Sequence, residues 1–172
     1  LVDADFVNSI AQIGPTLFWM TVFGPDAATH DRLAGRSGAW QDLVASVRNV
    51  RQAGLSVFLR TVVLRENVDV LPETLNWIGE QGLQVCVAAF CEDGLGREAS
   101  LRCYAPYPRL RAVMDAHPEL VRRTVHTLMH VPYCLFPEWI PKSLPTPSIC
   151  TPVPGIEFPP KECLGCDLFG KV

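Results

Sequence analysis

Two spacings of apolar residues alternate along the first two thirds of this chain, and this alternation constrains its fold more than any other feature. Nearly continuous runs of β-branched and aromatic residues, typical of strands buried on both faces, occupy residues 16–23, 56–64 and 83–90, with a fourth run at 125–131. Between them, apolar residues recur at helical spacing, as in the series Trp40, Leu43, Val44, Val47 and Val50. This order is typical of βαβ units, so the sequence predicts an α/β fold with four parallel strands and covering helices.

Residues that start or stop helices predict some of the boundaries. Gly54 and Gly82 each follow a helical stripe and are predicted to end it. Asp69 is the predicted N-cap of the helix that Gly82 ends. One longer helix is predicted over residues 109–124, and residues 24–38 are predicted to form a polar loop.

The chain changes character after His130. Nine prolines fall within residues 132–160, and proline fixes φ and removes a backbone donor, so no helical or strand period survives there. The predicted organisation is therefore a core of βα units over residues 1–131, followed by an irregular Pro- and Cys-rich extension over 132–172. Because the first residue is Leu1 and not Met, we expect a piece of a longer protein.

The composition excludes several classes of protein. Apolar residues make up 48% of the 172 residues and charged residues 19%, which is enough apolar material for a buried core. The net charge of −3, with dispersed basic residues, argues against nucleic acid as a partner. No apolar run is long enough for a membrane span, and no signal peptide opens the chain, so no membrane partner is expected. Seven cysteines without a secretory context predict reduced thiols or metal ligands in a cytoplasmic protein.

The pair Cys163 and Cys166 is the strongest signal of chemistry. A CxxC turn lets two thiolates face one metal, and it fits zinc, an iron–sulfur cluster or a redox dithiol. The pair follows a proline-rich loop, whereas a redox dithiol usually follows a strand at a helix N-terminus, so the redox interpretation is disfavoured. Two incidental surface cysteines are the remaining alternative. Cys134 and Cys150 are available as further ligands.

Polar side chains follow or interrupt the first two predicted strands. Ligands of parallel α/β folds bind at the carboxyl ends of the strands, which favours Thr21 and Arg60 as ligand contacts. An arginine inside an apolar strand is expected to be buried and to need an anionic or carbonyl partner. For His30 and Asp31 we favour a structural role, pinning the turn after the first strand. Asn67 is predicted to support the turn into its helix.

The region from Thr21 to Gly82 resembles the core of radical S-adenosylmethionine (radical SAM) enzymes. In that family a strand ends in Ser or Thr and is followed by Gly-Pro. A His-Asp pair and a Gly-aromatic segment then lead into a helix that ends in Ala-Gly. The next strand ends near an Asn. The matching residues here are Thr21, Gly24-Pro25, His30-Asp31, Gly38-Ala39-Trp40, Ala53-Gly54 and Asn67. The tail is similar to the auxiliary iron–sulfur extension of the subgroup that modifies peptides.

The resemblance implies part of a six-stranded (β/α)6 TIM-like barrel, its C-terminal half, acting on a peptide or small-molecule substrate. Thr21 would meet the ribose or methionyl part of S-adenosylmethionine, and Arg36 or Arg60 its carboxylate. The CxxxCxxC motif that holds the family's [4Fe–4S] cluster is absent from this sequence, so we expect a truncated core that does not catalyse the radical step. A truncated barrel has an open edge, so Leu17 and Trp19 are predicted to be exposed.

The resemblance also implies that Cys134, Cys163 and Cys166 converge on one metal centre. Its fourth ligand would be Cys150 or, preferably, a cysteine beyond Val172. Iron–sulfur and zinc both suit four thiolates, and only the resemblance favours iron. Two functions follow: a radical SAM iron–sulfur enzyme seen in part, or a non-catalytic α/β module with a zinc-binding CxxC tail.

Overall fold

The computed structural model describes residues 2–89 and 102–131. Four strands form one sheet in the order β1-β2-β3-β4, and each neighbouring pair is parallel. Their bounds are β1 Leu17–Thr21, β2 Ser56–Val63, β3 Val85–Ala89 and β4 Val125–Met129. The predicted α/β fold with four parallel strands is confirmed.

The helices lie between the strands in sequence. They are α1 Ala4–Ala11, α2 Ala27–Ala34, α3 Ala39–Gln52, α4 Leu71–Glu80, α5 Tyr107–Ala116 and α6 Pro118–Thr124, with a short 3-10 helix at Val68–Val70. Gly54 and Gly82 follow α3 and α4 with φ of 72° and 65°, the left-handed conformation that glycine adopts without strain, so both predicted helix ends are confirmed.

The helices cover one face of the sheet, and the hydrophobic core lies between them and that face. In β2 the side chains of Leu59, Thr61 and Val63 are buried, whereas Arg60 between them is exposed. This alternation follows from the two-residue period of a strand. Helix residues close the core over the buried face; among them are Leu43, Val47, Leu75, Ile78, Leu110 and Met114.

The opposite face of the sheet, here called the open face, carries exposed apolar residues. Leu17 and Trp19 on the edge strand β1 are 50% and 51% exposed, as predicted. β3 alone among the four described strands is buried throughout, so the prediction that β1 and β2 would be buried on both faces is wrong. The reason is that β1 is an edge strand and no described helix packs on the open face of either strand.

Two predicted helix boundaries are corrected. The helix predicted over 109–124 is two helices, because Pro118 cannot continue an α-helix and His117 before it is not helical, with φ −132° and ψ 53°. Asp69 does not cap α4. It lies in the 3-10 turn before that helix and pairs with Arg109 at 2.6 Å.

The predicted polar loop 24–38 contains the helix α2. Asp26 caps it, because its carboxylate accepts a hydrogen bond from the Thr29 N–H at 2.8 Å. Four of the eight residues of this helix are polar and three of the others are alanine, so no apolar stripe predicts it from the sequence. The extension over 132–172, with Cys134, Cys163 and Cys166, lies outside the described residues, and the division at 131/132 stays a prediction.

Gly24, between β1 and α2, packs so closely against Thr29 that a side chain has no room. A Cβ at position 24 would lie 2.4 Å from Thr29 Cγ2 and 2.5 Å from Thr29 Cβ. We therefore expect Gly24→Ala to lower the free energy of unfolding by about 1–3 kcal/mol, the usual range for overpacking. Urea denaturation measures this loss.

The control for Gly24→Ala removes the obstructing side chain. Thr29→Gly alone costs roughly 0.3 kcal/mol of helix propensity, since threonine is itself a poor helix former, but combined with Gly24→Ala it should destabilise less than the sum of the two single changes. If the losses of stability of the two single variants add up to that of the double variant, the contact with Thr29 is not the cause of the destabilisation by Gly24→Ala.

Candidate functional site

A polar row crosses the open face, one residue from each strand. The register pairs Thr21 with Arg60, Arg60 with Cys86, and Cys86 with Thr127. Partners in a parallel sheet share a face, so these four residues lie side by side. Arg60 Nη2 donates a long hydrogen bond of 3.4 Å to the Thr21 hydroxyl. Two of the residues predicted to contact a ligand are therefore neighbours.

The guanidinium of Arg60 is the cation of this row. Contrary to the expectation of burial, Arg60 is exposed, because it points to the face that no described helix covers. Within residues 2–89 and 102–131 no carboxylate lies within ion-pair distance of it, so its charge is open to an anionic ligand.

Cys86 beside Arg60 is buried and remains a neutral thiol. Burial raises the pKa of this thiol to about 11, although the Arg60 charge acts in the opposite direction. Cys86 is completely buried and fills space in the interior.

Aromatic rings form a second layer of the open face, on the amino-terminal side of the polar row. The ring centroids of Trp19 and Phe58 are 4.8 Å apart, and His126 meets Phe58 edge-on at 5.5 Å. A ligand bound at Arg60 would thus have apolar ring surfaces on one side of it.

His30 and Asp31 hold the turn after β1, as the favoured interpretation predicted. His30 is 4% exposed, and its Nδ1 accepts a hydrogen bond of 3.1 Å from the Phe23 N–H. The Asp31 carboxylate accepts 2.7 Å hydrogen bonds from the N–H groups of Gly38 and Trp40, which begin α3. These two bonds and the nearby positive charges hold the pKa of Asp31 below its usual value.

Asn67 is buried and ties the carboxyl ends of β1 and β2 together. Its amide nitrogen donates to the carbonyls of Phe23 and Val62, each at 3.0 Å, and its side-chain oxygen accepts from the Leu64 N–H at 2.7 Å. The predicted support of this turn is confirmed, and the amide also bridges two strands.

Arg36 lies in the short connection between α2 and α3 and does not contact the polar row. It forms an exposed ion pair with Asp42 at 2.6 Å. No described contact joins Arg36 to Thr21 or Arg60, so the structure brings Thr21 and Arg60 together but not Arg36.

The metal ligands predicted in the tail lie beyond the part of the chain that the structure describes. Within the described part, no group of three or more His, Cys, Asp or Glu side chains is placed to hold a metal ion. No helix of that part is long and apolar enough to cross a membrane.

His130 has an unusual backbone geometry. It follows β4 directly, has a φ of 57°, and its buried Nδ1 has no hydrogen-bond partner among the described residues. Its carbonyl accepts a 3.0 Å hydrogen bond from the Tyr107 hydroxyl. No periodicity or motif distinguishes this histidine in the sequence.

A cavity of about 430 Å3 opens elsewhere, at the amino-terminal ends of the strands. Val57, Gly82, Gln84 and Arg123 are among its lining residues. Ligand sites of parallel α/β folds lie at the opposite, carboxyl ends, so we do not assign this cavity to the candidate site.

Comparison with known proteins adds evidence about the fold. No protein-family model matches the sequence, and no curated protein matches it. Among solved structures, native anSMEcpe with bound AdoMet and the Cp18Cys peptide superposes with a TM-score of 0.56 at 12% identity, covering 72% of this chain and 37% of that one. Native anSMEcpe with bound AdoMet gives 0.54 at 11% identity, covering 73% and 37%.

The described sheet has the fold of part of the anSMEcpe chains, a partial TIM-like barrel. At 11–12% identity the likeness concerns the fold alone. The chain spans about 37% of the length of the anSMEcpe chains. In this fold, Thr21 and Arg60 lie on the open face, and Asn67 lies where β2 ends.

The burial of His30 predicts a pH dependence of stability. Burial holds the pKa of His30 below the usual value of 6.5. The negative charge of Asp31 raises this pKa, and the positive charge of Arg36 lowers it further. The unfolded chain therefore takes up a proton first as the pH falls. The free energy of unfolding should decrease from about pH 6.5 downward until folded His30 is also protonated.

His30→Asn is the matched variant for this measurement. Its side-chain oxygen can accept the Phe23 N–H and does not titrate. Urea denaturation from pH 7.5 to pH 5 should show a smaller loss of stability in the variant than in the original protein. An equal loss in both proteins would assign the pH dependence to other groups.

Proposed function

We propose that this chain is part of the core of a radical SAM iron–sulfur enzyme and that its open face binds S-adenosylmethionine. The observation that carries the proposal is the guanidinium of Arg60, which no carboxylate of the described residues pairs, beside the Thr21 hydroxyl on a partial TIM-like barrel. The family motifs between Thr21 and Gly82, and the AdoMet bound in anSMEcpe, support the same ligand.

Two residues of the polar row and the two aromatic rings beside it have defined tasks in this proposal. Arg60 pairs with the carboxylate of the methionyl group, since a guanidinium bonds a carboxylate through two N–H groups. The Thr21 hydroxyl, freed from its long bond to Arg60, bonds the ribose or methionyl part. Trp19 and Phe58 exclude water beside the bound molecule, which strengthens the ion pair.

The residues of this chain do not fit the cluster that cleaves S-adenosylmethionine. No three of its cysteines have the CxxxCxxC spacing. The 172 residues are therefore proposed to bind and orient S-adenosylmethionine, and no radical step is assigned to them.

The substrate of the whole enzyme is proposed to be a peptide or a small molecule. The peptide is supported by the tail, which resembles that of peptide-modifying enzymes, and by the Cp18Cys peptide bound in anSMEcpe. Cys134, Cys163 and Cys166 are proposed to hold a metal in that tail, and the compartment is proposed to be the cytoplasm. No observation favours the alternative of a non-catalytic module.

The two candidate arginines make a direct test. Arg60→Met should weaken S-adenosylmethionine binding by at least about tenfold, the loss of one charged hydrogen bond. Arg36→Met should leave the affinity within about twofold, because Arg36 already pairs with Asp42. Isothermal titration calorimetry of the folded variants measures both affinities.

Two results would contradict this assignment. A loss of affinity in Arg36→Met alone would move the carboxylate site to the connection between α2 and α3. No binding by the original protein would overturn the proposed function.

The missing cluster motif predicts a separation of binding from cleavage. After anaerobic incubation with dithionite and S-adenosylmethionine, the 172-residue protein should release no 5′-deoxyadenosine, although it binds the cofactor. Chromatography of the mixture measures the product. Stoichiometric 5′-deoxyadenosine would show that other cysteines hold a cleaving cluster.

A further inference from the structure

The cavity at the amino-terminal ends of the strands has an arginine in its wall that no described residue engages. Arg123, in the last turn of α6, is exposed and lines this space of about 430 Å3. Within the part of the chain that the structure describes, its guanidinium forms neither a hydrogen bond nor an ion pair. A guanidinium carries five N–H donors, so the wall of the cavity offers an unused cationic group to an anion.

Capping the carboxyl end of α4 would be the ordinary structural use of Arg123, but the carbonyl groups there already have donors. The carbonyls of residues 77–79 accept hydrogen bonds of 3.0–3.2 Å from the N–H groups of residues 81–83. The Gln81 carbonyl accepts a 2.7 Å hydrogen bond from Arg51 Nη1. Helix α4 is therefore capped by its own backbone and by Arg51, and Arg123 is left without this task.

Gly79 of α4 allows the Arg123 side chain to pack directly on the backbone of that helix. A Cβ at position 79 would lie 3.1 Å from Nη2 and 3.3 Å from Nε of Arg123, and 2.9 Å from Thr124 Cγ2. Thr124 is buried, and its hydroxyl donates to the Leu120 carbonyl at 2.7 Å. Packing thus holds the guanidinium beside α4, which reduces the conformational entropy that a ligand would cost it.

The other walls define the chemistry of the ligand. Val57 and Leu83 are apolar and pack against the hydrophobic core, whereas Gln84 is exposed and brings a carboxamide. Among the described residues that line the cavity there is no acidic residue and no second cation. One guanidinium matches the two oxygens and the single charge of a carboxylate, whereas the dianion of a phosphate monoester would keep an unpaired charge.

We propose that this cavity binds a small monocarboxylic acid with an apolar body. The carboxylate pairs with Arg123, the carboxamide of Gln84 donates to it, and the apolar body packs against Val57 and Leu83. The volume suits such a molecule, since small-molecule sites usually measure about 300–1,000 Å3. The inference does not depend on S-adenosylmethionine binding, which is assigned to the open face at Arg60.

The test uses the 172-residue chain and 3-phenylpropanoate, a carboxylate on an apolar body. In a 1H–15N NMR titration the backbone amides of Gly79 and Gly82, which line the cavity, should shift in a saturable way. The expected dissociation constant is about 1 mM or lower. The neutral analogue 3-phenylpropanamide should bind at least about tenfold more weakly, because it cannot form charged hydrogen bonds with the guanidinium.

Two adjacent arginines of α6 provide a variant and its matched control. Arg123→Gln should weaken 3-phenylpropanoate binding by at least about tenfold. Arg122→Gln should bind like the original protein, because Arg122 pairs with Glu119 and does not line the cavity. Both side chains are exposed, so both variants should fold. A purely structural role of Arg123 would instead lower stability in urea denaturation and leave the affinity unchanged.

Several results would overturn the inference. They are the absence of saturable shifts, equal affinities for the acid and its amide, unchanged affinity in Arg123→Gln, and an equal loss in Arg122→Gln. Shifts confined to Thr21 and Arg60 would place the acid on the open face and would also overturn it. Calorimetry with S-adenosylmethionine on the same variants tests the proposed function separately, so either proposal can fail without the other.

Discussion

The structure depends on a parallel sheet that its helices bury on one face only. A strand places successive side chains on opposite faces, so every residue directed away from the helices meets the open face. In β2 this separates Leu59 and Val63, which build the core, from Arg60, which meets solvent. The same alternation of side chains exposes Trp19 on β1. It also leaves the charge of Arg60 on a surface where a ligand can reach it.

Much of the fold can be predicted from the sequence because its strongest signals are local. A run of apolar residues between helical stripes predicts a parallel strand, and a glycine after a stripe predicts a left-handed helix end, as at Gly54 and Gly82. The errors arise where a local signal is weak or overridden. Helix α2 has no apolar stripe, and Asp69 satisfies its charge with Arg109, 40 residues away, instead of capping α4.

The candidate site is only partly predictable, because its geometry is set by register. Thr21 and Arg60 can each be suspected from their strands, but their adjacency depends on how β1 aligns with β2. Arg36 shows the converse, since a suspected residue pairs instead with Asp42 six positions along the chain. His30 and His130 show the same limit: the Phe23 N–H satisfies Nδ1 of His30, whereas no donor of the described residues reaches Nδ1 of His130, and neither contact can be predicted from sequence spacing.

The edge position of β1 has a consequence for handling the protein. Residues Leu17–Thr21 contain neither a charge nor a proline, the devices with which natural sheets prevent a foreign strand from adding to an edge. The backbone N–H and C=O groups of β1 on the side away from β2 can therefore pair with a strand of another molecule. The exposed side chains of Leu17 and Trp19 would add apolar contacts to such a pairing. Concentrated samples would be prone to self-association along this strand, and a lysine placed at Leu17 would act as a gatekeeper without entering the buried core.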